Sequence, residues 1–344
     1  MAKATTVFVT GASGFIGSAV LHRLDEAGFL VRALVRPGSP RDHLPDHGVR
    51  LVEGDIRDRE SIRSAITGAR YVFHVAADYR FWARDRNEIL TTNISGTRIV
   101  MEEALRAGVE RVIYTSSVAT LALRSDGAPA DESAPADESI SLAEPDSIGT
   151  YKRSKIAAER LVLSMVADQG LPAVIVNPST PVGPRDVRPT PTGRMIVAAA
   201  SGGIPAFVDT GLNLVHVDDV ALGHLAALER GRVGERYILG GQNVPFCQIL
   251  HDIAGIMGRK GPRFRLPWYS ALPIAFVSEA MAGVTGREPL ATLEGVRLSK
   301  HQMFFSADKA EHELGIKARP YQEGLLEAVR WFHDFGYCKA VPKS

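Results

Sequence analysis

The chain has 344 residues, 45% hydrophobic and 23% charged, and 40 Lys and Arg against 39 Asp and Glu leave a formal net charge of +1. That balance excludes a basic polyanion binder such as a nucleic-acid protein, and 32 Gly with 20 Pro exclude a collagen-like or broadly disordered chain. Two distant cysteines, Cys247 and Cys338, give no disulfide framework and no CxxC, which fits a reducing, cytoplasmic setting.

Met1-Ala2-Lys3 runs straight into the β-type run Thr5–Thr10, leaving no room for a signal peptide. Apolar runs at Val7–Val9, Leu30–Val35, Arg50–Val52, Tyr71–Val75, Arg111–Thr115 and Ala173–Val176 read as six strands. Helical periodicity separates them over Phe15–Ala27, Glu60–Ile66, Asn87–Ala107 and Tyr151–Asp168. This alternation predicts an α/β fold with a doubly wound parallel sheet of the Rossmann type, with right-handed crossovers and ligands at the carboxyl ends of the strands. Residues 1–180 are expected to form the dinucleotide-binding domain. Residues 181–340, opening on a Pro-rich loop, are expected to form a smaller, mostly α substrate-binding region interleaved with the end of the sheet. Residues Ala128–Ser133 are repeated at once as Ala134–Ser139, in a stretch with seven acids and one Arg between Arg124 and Ser147. Its composition predicts a solvated, mobile loop. No uncharged apolar stretch reaches the ~18 residues of a membrane span. The nearest, Leu266–Gly286, reads as a core or lid helix, with a surface for a greasy substrate or lipid as the lesser reading.

Two motifs carry chemistry. Gly11-Ala12-Ser13-Gly14-Phe15-Ile16-Gly17 follows the first strand and opens the first helix. Gly11 allows a tight turn, Gly14 lets a pyrophosphate approach the backbone, and Gly17 lets helix and strand pack closely. The helix N-terminus then offers free N–H groups to phosphates. Arg36, 25 residues past Gly11, stands where many NAD sites place an acid; with Ser39 beside it, it suits a 2′-phosphate, so NADP(H) is expected, with NAD(H) the alternative. In Tyr151-Lys152-Arg153-Ser154-Lys155 the Tyr and second Lys share a helix face. An ammonium beside a phenol lowers its pKa toward operating pH, which makes Tyr151 an acid/base candidate. His43 and His47 have no carboxylate or Cys beside them, so no metal is expected.

Thr10–Gly17, TGASGFIG, resembles the signature of the extended short-chain dehydrogenase/reductases. The resemblance extends over nearly the whole chain. It implies a catalytic set of Ser117, Tyr151 and Lys155, with Ser117 preferred to Ser116 for the substrate oxygen and Lys155 also holding the nicotinamide ribose. Asp55 with Ile56 would meet the adenine, His74-Val75-Ala76-Ala77 would line the cofactor, Asn93 in Thr92–Thr97 would approach the site, and Pro178 and Ser179 would pack on the nicotinamide. Val215–Val220, HVDDV-like, also matches, with Asp218 read as a helix N-cap. The two long helices imply a homodimer. Ala77–Trp82, Val112–Leu121 and Thr292–Arg297 look like the hopanoid-associated sugar epimerases, whereas Arg36 and the Thr-Ser-Ser run resemble the dihydroflavonol reductases. The expected function is hydride transfer between nicotinamide and a small sugar-like or hydroxy-carbonyl substrate, lipid-linked in one variant. The alternatives are a carbonyl reductase and, more distantly, a non-catalytic NADP-binding regulator. Arg185, Arg188 and Arg194 are candidates for a second pyrophosphate, and Phe81, Trp82, Trp268, Tyr269 and Phe276 for an apolar pocket.

Overall fold

The structure, a computed structural model, describes residues 5–80, 85–121, 135–142, 149–285, 289 and 292–338. In its first half strands and helices alternate: β1 (Thr6–Thr10), α1 (Phe15–Glu26), β2 (Leu30–Val35), β3 (Val49–Glu53), α2 (Arg59–Ile66), β4 (Tyr71–His74), α3 (Arg86–Leu90), α4 (Thr97–Ala107), β5 (Arg111–Thr115), α5 (Thr150–Gln169) and β6 (Ala173–Pro178). Beyond them come β7 (Thr180–Val182), α6 (Pro191–Ala200), β8 (Ala206–Val208), β9 (Gly211–His216), α7 (Val217–Arg230), β10 (Arg236–Leu239), β11 (Gln242–Pro245), α8 (Phe246–Ile256), β12 (Phe264–Leu266), α9 (Leu272–Thr285), α10 (Leu293–Leu298), β13 (Gln302–Met303), α11 (Asp308–Leu314) and α12 (Tyr321–Asp334).

Seven parallel strands form the central sheet in the order β3-β2-β1-β4-β5-β6-β10. The order reverses between β1 and β4, as in a doubly wound Rossmann sheet. Its seventh strand comes from the second half of the chain. The central strands are apolar along their length because both faces are covered. On one face Val7, Val9, Phe73 and Val176 pack with residues of α1, α7 and α11. On the other Phe8, Val72, Val112 and Ile175 pack with α2, α4 and α5. A smaller sheet, β11-β9-β13 with β7 on β9, packs with α6, α8 and α12.

Four expectations change here. The long helix over 87–107 is broken by a π-helical segment at Thr91–Gly96, a local widening that often marks a functional site. The helix α7 is capped by His216, whose Nδ1 accepts the Asp218 N–H at 3.0 Å, so Asp218 lies in the first turn rather than at the cap. A base two residues upstream serves the orphan N–H, leaving the carboxylate of Asp218 to pair with Arg185.

The second copy of the acidic repeat is docked, not solvated. Ala134 and the first copy lie outside the described residues. Ala136 is buried against Leu121, Ile238 and Phe305 and bridges to the 304–306 segment through two backbone hydrogen bonds of 3.0 and 2.9 Å. The Glu138 carboxylate accepts the Ile238 N–H at 2.8 Å, and its carbonyl accepts from Arg236 at 2.5 Å. Acid-rich composition favours water only while no backbone donor is in reach; here the free edge of β10 supplies one. Deleting residues 134–139 is therefore expected to cost about 2–4 kcal/mol and lower Tm by several degrees. A melting curve matching that of the intact chain would refute the docking.

The helix α9 is not in the core either. It buries Ala275 and Ala282 but presents its large side chains to solvent. No helix of the described residues is long and apolar enough to cross a membrane.

Candidate active site

The turn after β1 sets one end of the site. Gly11 sits at φ 75°, and a Cβ there would meet the Ala76 nitrogen at 2.5 Å; a Cβ on Gly17 would lie 1.9 Å from the Gly11 carbonyl oxygen. Only glycine fits either position. Helix α1 starts at Gly14 with no side-chain cap and no acid in its first turn, so its N–H groups and partial positive charge stay available to an anion. His43 fixes this turn from outside: its Nε2 donates to the Ser13 carbonyl at 3.2 Å, and burial lowers its pKa. No sequence signal marks that role, because a His in a Pro-rich loop carries no pattern.

From this turn a cleft of about 1320 Å³ runs along the carboxyl ends of the strands. Gly11, Ser13, Gly14, Phe15, Ile16 and Gly17 line its floor, with Arg36, Ser39, Asp55 and Ile56 at one end, and Ala76, Ala77, Pro178 and Ser179 further along. Arg57 joins them. Its guanidinium binds the Asp55 carboxylate through Nε at 3.0 Å and Nη2 at 2.7 Å, and this contact, with Arg36 nearby, holds the Asp55 pKa below the usual carboxylate range. Two arginines, not one, therefore stand at this end.

Among the cofactor candidates, His74, buried and hydrogen-bonded to Thr10 and Thr97, does not reach the wall, and neither does Asn93. Its Oδ1 accepts the Asp78 N–H at 2.7 Å, while its Nδ2 donates to the Asp78 carbonyl at 2.9 Å and to Ser154 Oγ at 2.8 Å. The amide is spent on tying the π-helical segment and the β4 exit to α5.

Ser117, Tyr151 and Lys155 all line the same cleft. Ser117 begins a short 3₁₀ turn, its Oγ accepting the Ala119 N–H at 3.1 Å, and its hydroxyl hydrogen-bonds the Tyr151 phenol. The buried Lys155 ammonium donates to the Thr115 carbonyl at 2.9 Å and lies 5.2 Å from the Tyr114 ring centroid. Burial pulls its pKa down to about 8, partly offset by the charge of Glu159. The expected acidification of the phenol is not what the geometry gives: burial, then the carboxylates of Glu294 and Asp78, raise the Tyr151 pKa despite the Ser117 hydrogen bond. The spacing put Lys155 on the right face of α5, but the Thr115 carbonyl holds its charge.

Two acids in this region had no prior role. Glu159, one further turn along α5, is buried; it accepts from Thr120 Oγ1 and Asn177 Nδ2, both at 2.9 Å, and lies 3.4 Å from Arg236. Asn177 Nδ2 also donates to the Ser117 carbonyl at 3.0 Å. A second step of four, from Lys155 to Glu159, was the available signal. Glu294, from α10, reaches the start of α5, where a Cβ on Gly149 would fall 1.8 Å from its Cδ; nothing in the sequence marks that contact.

The second half of the chain supplies the opposite wall: Met195, Leu212, Phe246, Leu298, Met303 and Phe305, with Arg188 and Arg194. Arg185 instead turns to Asp218. Trp268, Tyr269 and Phe276 do not line the cleft; Tyr269 and Phe276 are exposed on the outer face. Phe81 and Trp82 lie outside the described residues.

Known proteins resemble this chain in sequence and fold. Residues 7–240 match the model of the NAD dependent epimerase/dehydratase family. The chain belongs to this family. It is thus an NAD(P)-dependent enzyme of the extended short-chain dehydrogenase/reductase type. Among relatives of this epimerase/dehydratase chain, a Synechocystis protein named "Putative dihydroflavonol 4-reductase" is 41% identical over 98% of both chains. Sterol demethylase protein B of Methylococcus capsulatus is 33% identical over 96% of this chain and 99% of its own. The crystal structure of a nucleoside-diphosphate-sugar epimerase from Pseudomonas aeruginosa superposes with a TM-score of 0.77 at 25% identity, covering 98% of this chain and all of that one.

Proposed function

We propose that this protein is an NADP(H)-dependent oxidoreductase that interconverts a carbonyl and a hydroxyl on a substrate with a bulky apolar body. One observation carries the reading: Ser117, Tyr151 and Lys155 line a single cleft with the glycine turn and with an apolar wall from the second half of the chain. The dinucleotide, when bound, supplies or accepts the hydride. Ser117 and Tyr151 hold the substrate oxygen as it gains negative charge. Tyr151, its pKa raised, stays protonated at neutral pH and delivers a proton to that oxygen, which suits reduction better than oxidation. Lys155 holds the cofactor ribose and keeps a positive charge below the new alkoxide.

Arg36 and Arg57 support NADP(H) over NAD(H), since both guanidiniums line the end of the cleft beyond the glycine turn. Arg36→Ala is expected to weaken NADPH binding about tenfold to a hundredfold, the loss of one or two charge-assisted contacts, with NADH changed only a few-fold. Fluorescence titration of both cofactors measures it, and equal losses would remove the assignment. A homodimer through α4 and α5 belongs to the same reading.

A second reading, epimerisation of a sugar carbon in hopanoid side-chain metabolism, is favoured by Arg188 and Arg194 in the cleft wall and by the resemblance to the hopanoid-associated epimerases. Mass spectrometry of the purified protein separates the two. Retained, non-exchanging oxidised cofactor supports epimerisation; free exchange of NADPH supports net reduction.

A further inference from the structure

The helix α9 is inside out. In an ordinary surface helix the large apolar side chains face the protein. Here the inward side carries Ala275 and Ala282, both buried, with Ser278 and Glu279 half-buried. The outward side carries Ile274, Phe276, Val277, Met281 and Val284, 56–84% exposed. The helix has a single charged residue, Glu279, and it is drawn back onto the protein, accepting the Leu293 N–H at 2.8 Å.

The stretch leading into α9 continues the pattern. Phe264, Leu266 and Tyr269 are exposed. Interleaved with them are four cations, Arg259, Lys260, Arg263 and Arg265, against one acid in all of residues 259–285. Arg265 pairs with Asp209, whereas Lys260 and Arg263 line a recess of about 310 Å³ beside Phe264, together with Arg259, whose guanidinium also donates to the Ala200 carbonyl at 2.9 Å.

A contiguous apolar face of this kind marks an interaction surface. Its charge restricts the occupant: apolar in the middle, anionic at one edge, and extended. We propose that α9 and the 259–271 stretch dock the protein flat on a lipid bilayer that carries anionic headgroups, without spanning it. Apolar side chains enter the acyl boundary, Tyr269 and Trp268 sit at headgroup level, and the Arg259–Arg263 recess takes a headgroup phosphate. The helix α10 packs on α9 and places Gly295 and Leu298 in the wall of the cleft. The docked face therefore lies one helix away from the substrate end.

Flotation of the full chain with vesicles tests this. Binding to phosphatidylcholine vesicles containing about one-third phosphatidylglycerol is expected to exceed binding to pure phosphatidylcholine by about tenfold and to weaken at high salt. Ile274→Ser/Phe276→Ser and Lys260→Glu/Arg263→Glu should each reduce it about tenfold, while Tm and NADPH binding stay at wild-type values. Absence of vesicle binding, or binding indifferent to both variants, overturns the proposal. So does a dimer in solution that falls apart in the Ile274→Ser/Phe276→Ser variant without any vesicle affinity, which would make this face a contact between two copies.

Discussion

Tyr151→Phe is expected to lower turnover about a thousandfold, within the range a positioned acid contributes, while NADPH affinity changes only a few-fold. The substitution removes one oxygen. It takes away the hydroxyl that Ser117 contacts and leaves the ring packed at the start of α5. On the proposed reading the cofactor is held elsewhere, by the glycine turn, the α1 N-terminus and the two arginines that line the same cleft, so binding and chemistry should separate cleanly. Single-turnover kinetics with saturating NADPH measures the first, and fluorescence titration the second. Turnover within tenfold of wild type would show that another group delivers the proton.

The second large effect concerns Glu159. Its carboxylate accepts Thr120 and Asn177 and faces Arg236, while Asn177 steadies the Ser117 carbonyl. Glu159→Ala leaves a guanidinium and an amide without their buried partner and should cost about 3 kcal/mol in chemical denaturation. Glu159→Gln keeps the shape and tests the charge. Folding lowers the Lys155 pKa from 10.5 to about 8. Between those values the folded chain binds fewer protons than the unfolded one, so this group makes stability rise with pH across that window. Activity runs the other way: kcat/KM for reduction should fall as pH rises through about 8, where Lys155 loses its charge. The attraction of Glu159 holds that pKa up, so Glu159→Gln should move the limb to lower pH. A purely structural role for Glu159 would leave the limb in place.

The acidic repeat and α9 share one lesson about composition. Average composition predicts one environment for each, and the neighbouring elements impose another. Acids at 137 and 138 favour water, yet the edge of β10 offers Glu138 a backbone N–H it can accept. Residues 272–285 are apolar enough for a core, yet only Ala275 and Ala282 among them are buried. Similarly, Arg188 and the α6 residue Arg194 reach the cleft while Arg185, three positions before Arg188, does not.

By itself, the sequence determined what local geometry and period can specify. The strand–helix alternation, the glycine turn and the Tyr–Lys face of α5 depend on residues a few positions apart, whose steric and hydrogen-bonding demands hold in any fold that contains them. Tertiary structure decided what depends on groups far apart along the chain. The Lys155 contact with Thr115, the burial and then the Glu294 and Asp78 carboxylates that raise the Tyr151 pKa, the second arginine beside Asp55 and the apolar wall opposite all arise from long-range packing. Burial and charge act through space, so the residues that set a proton's affinity need share no spacing in sequence.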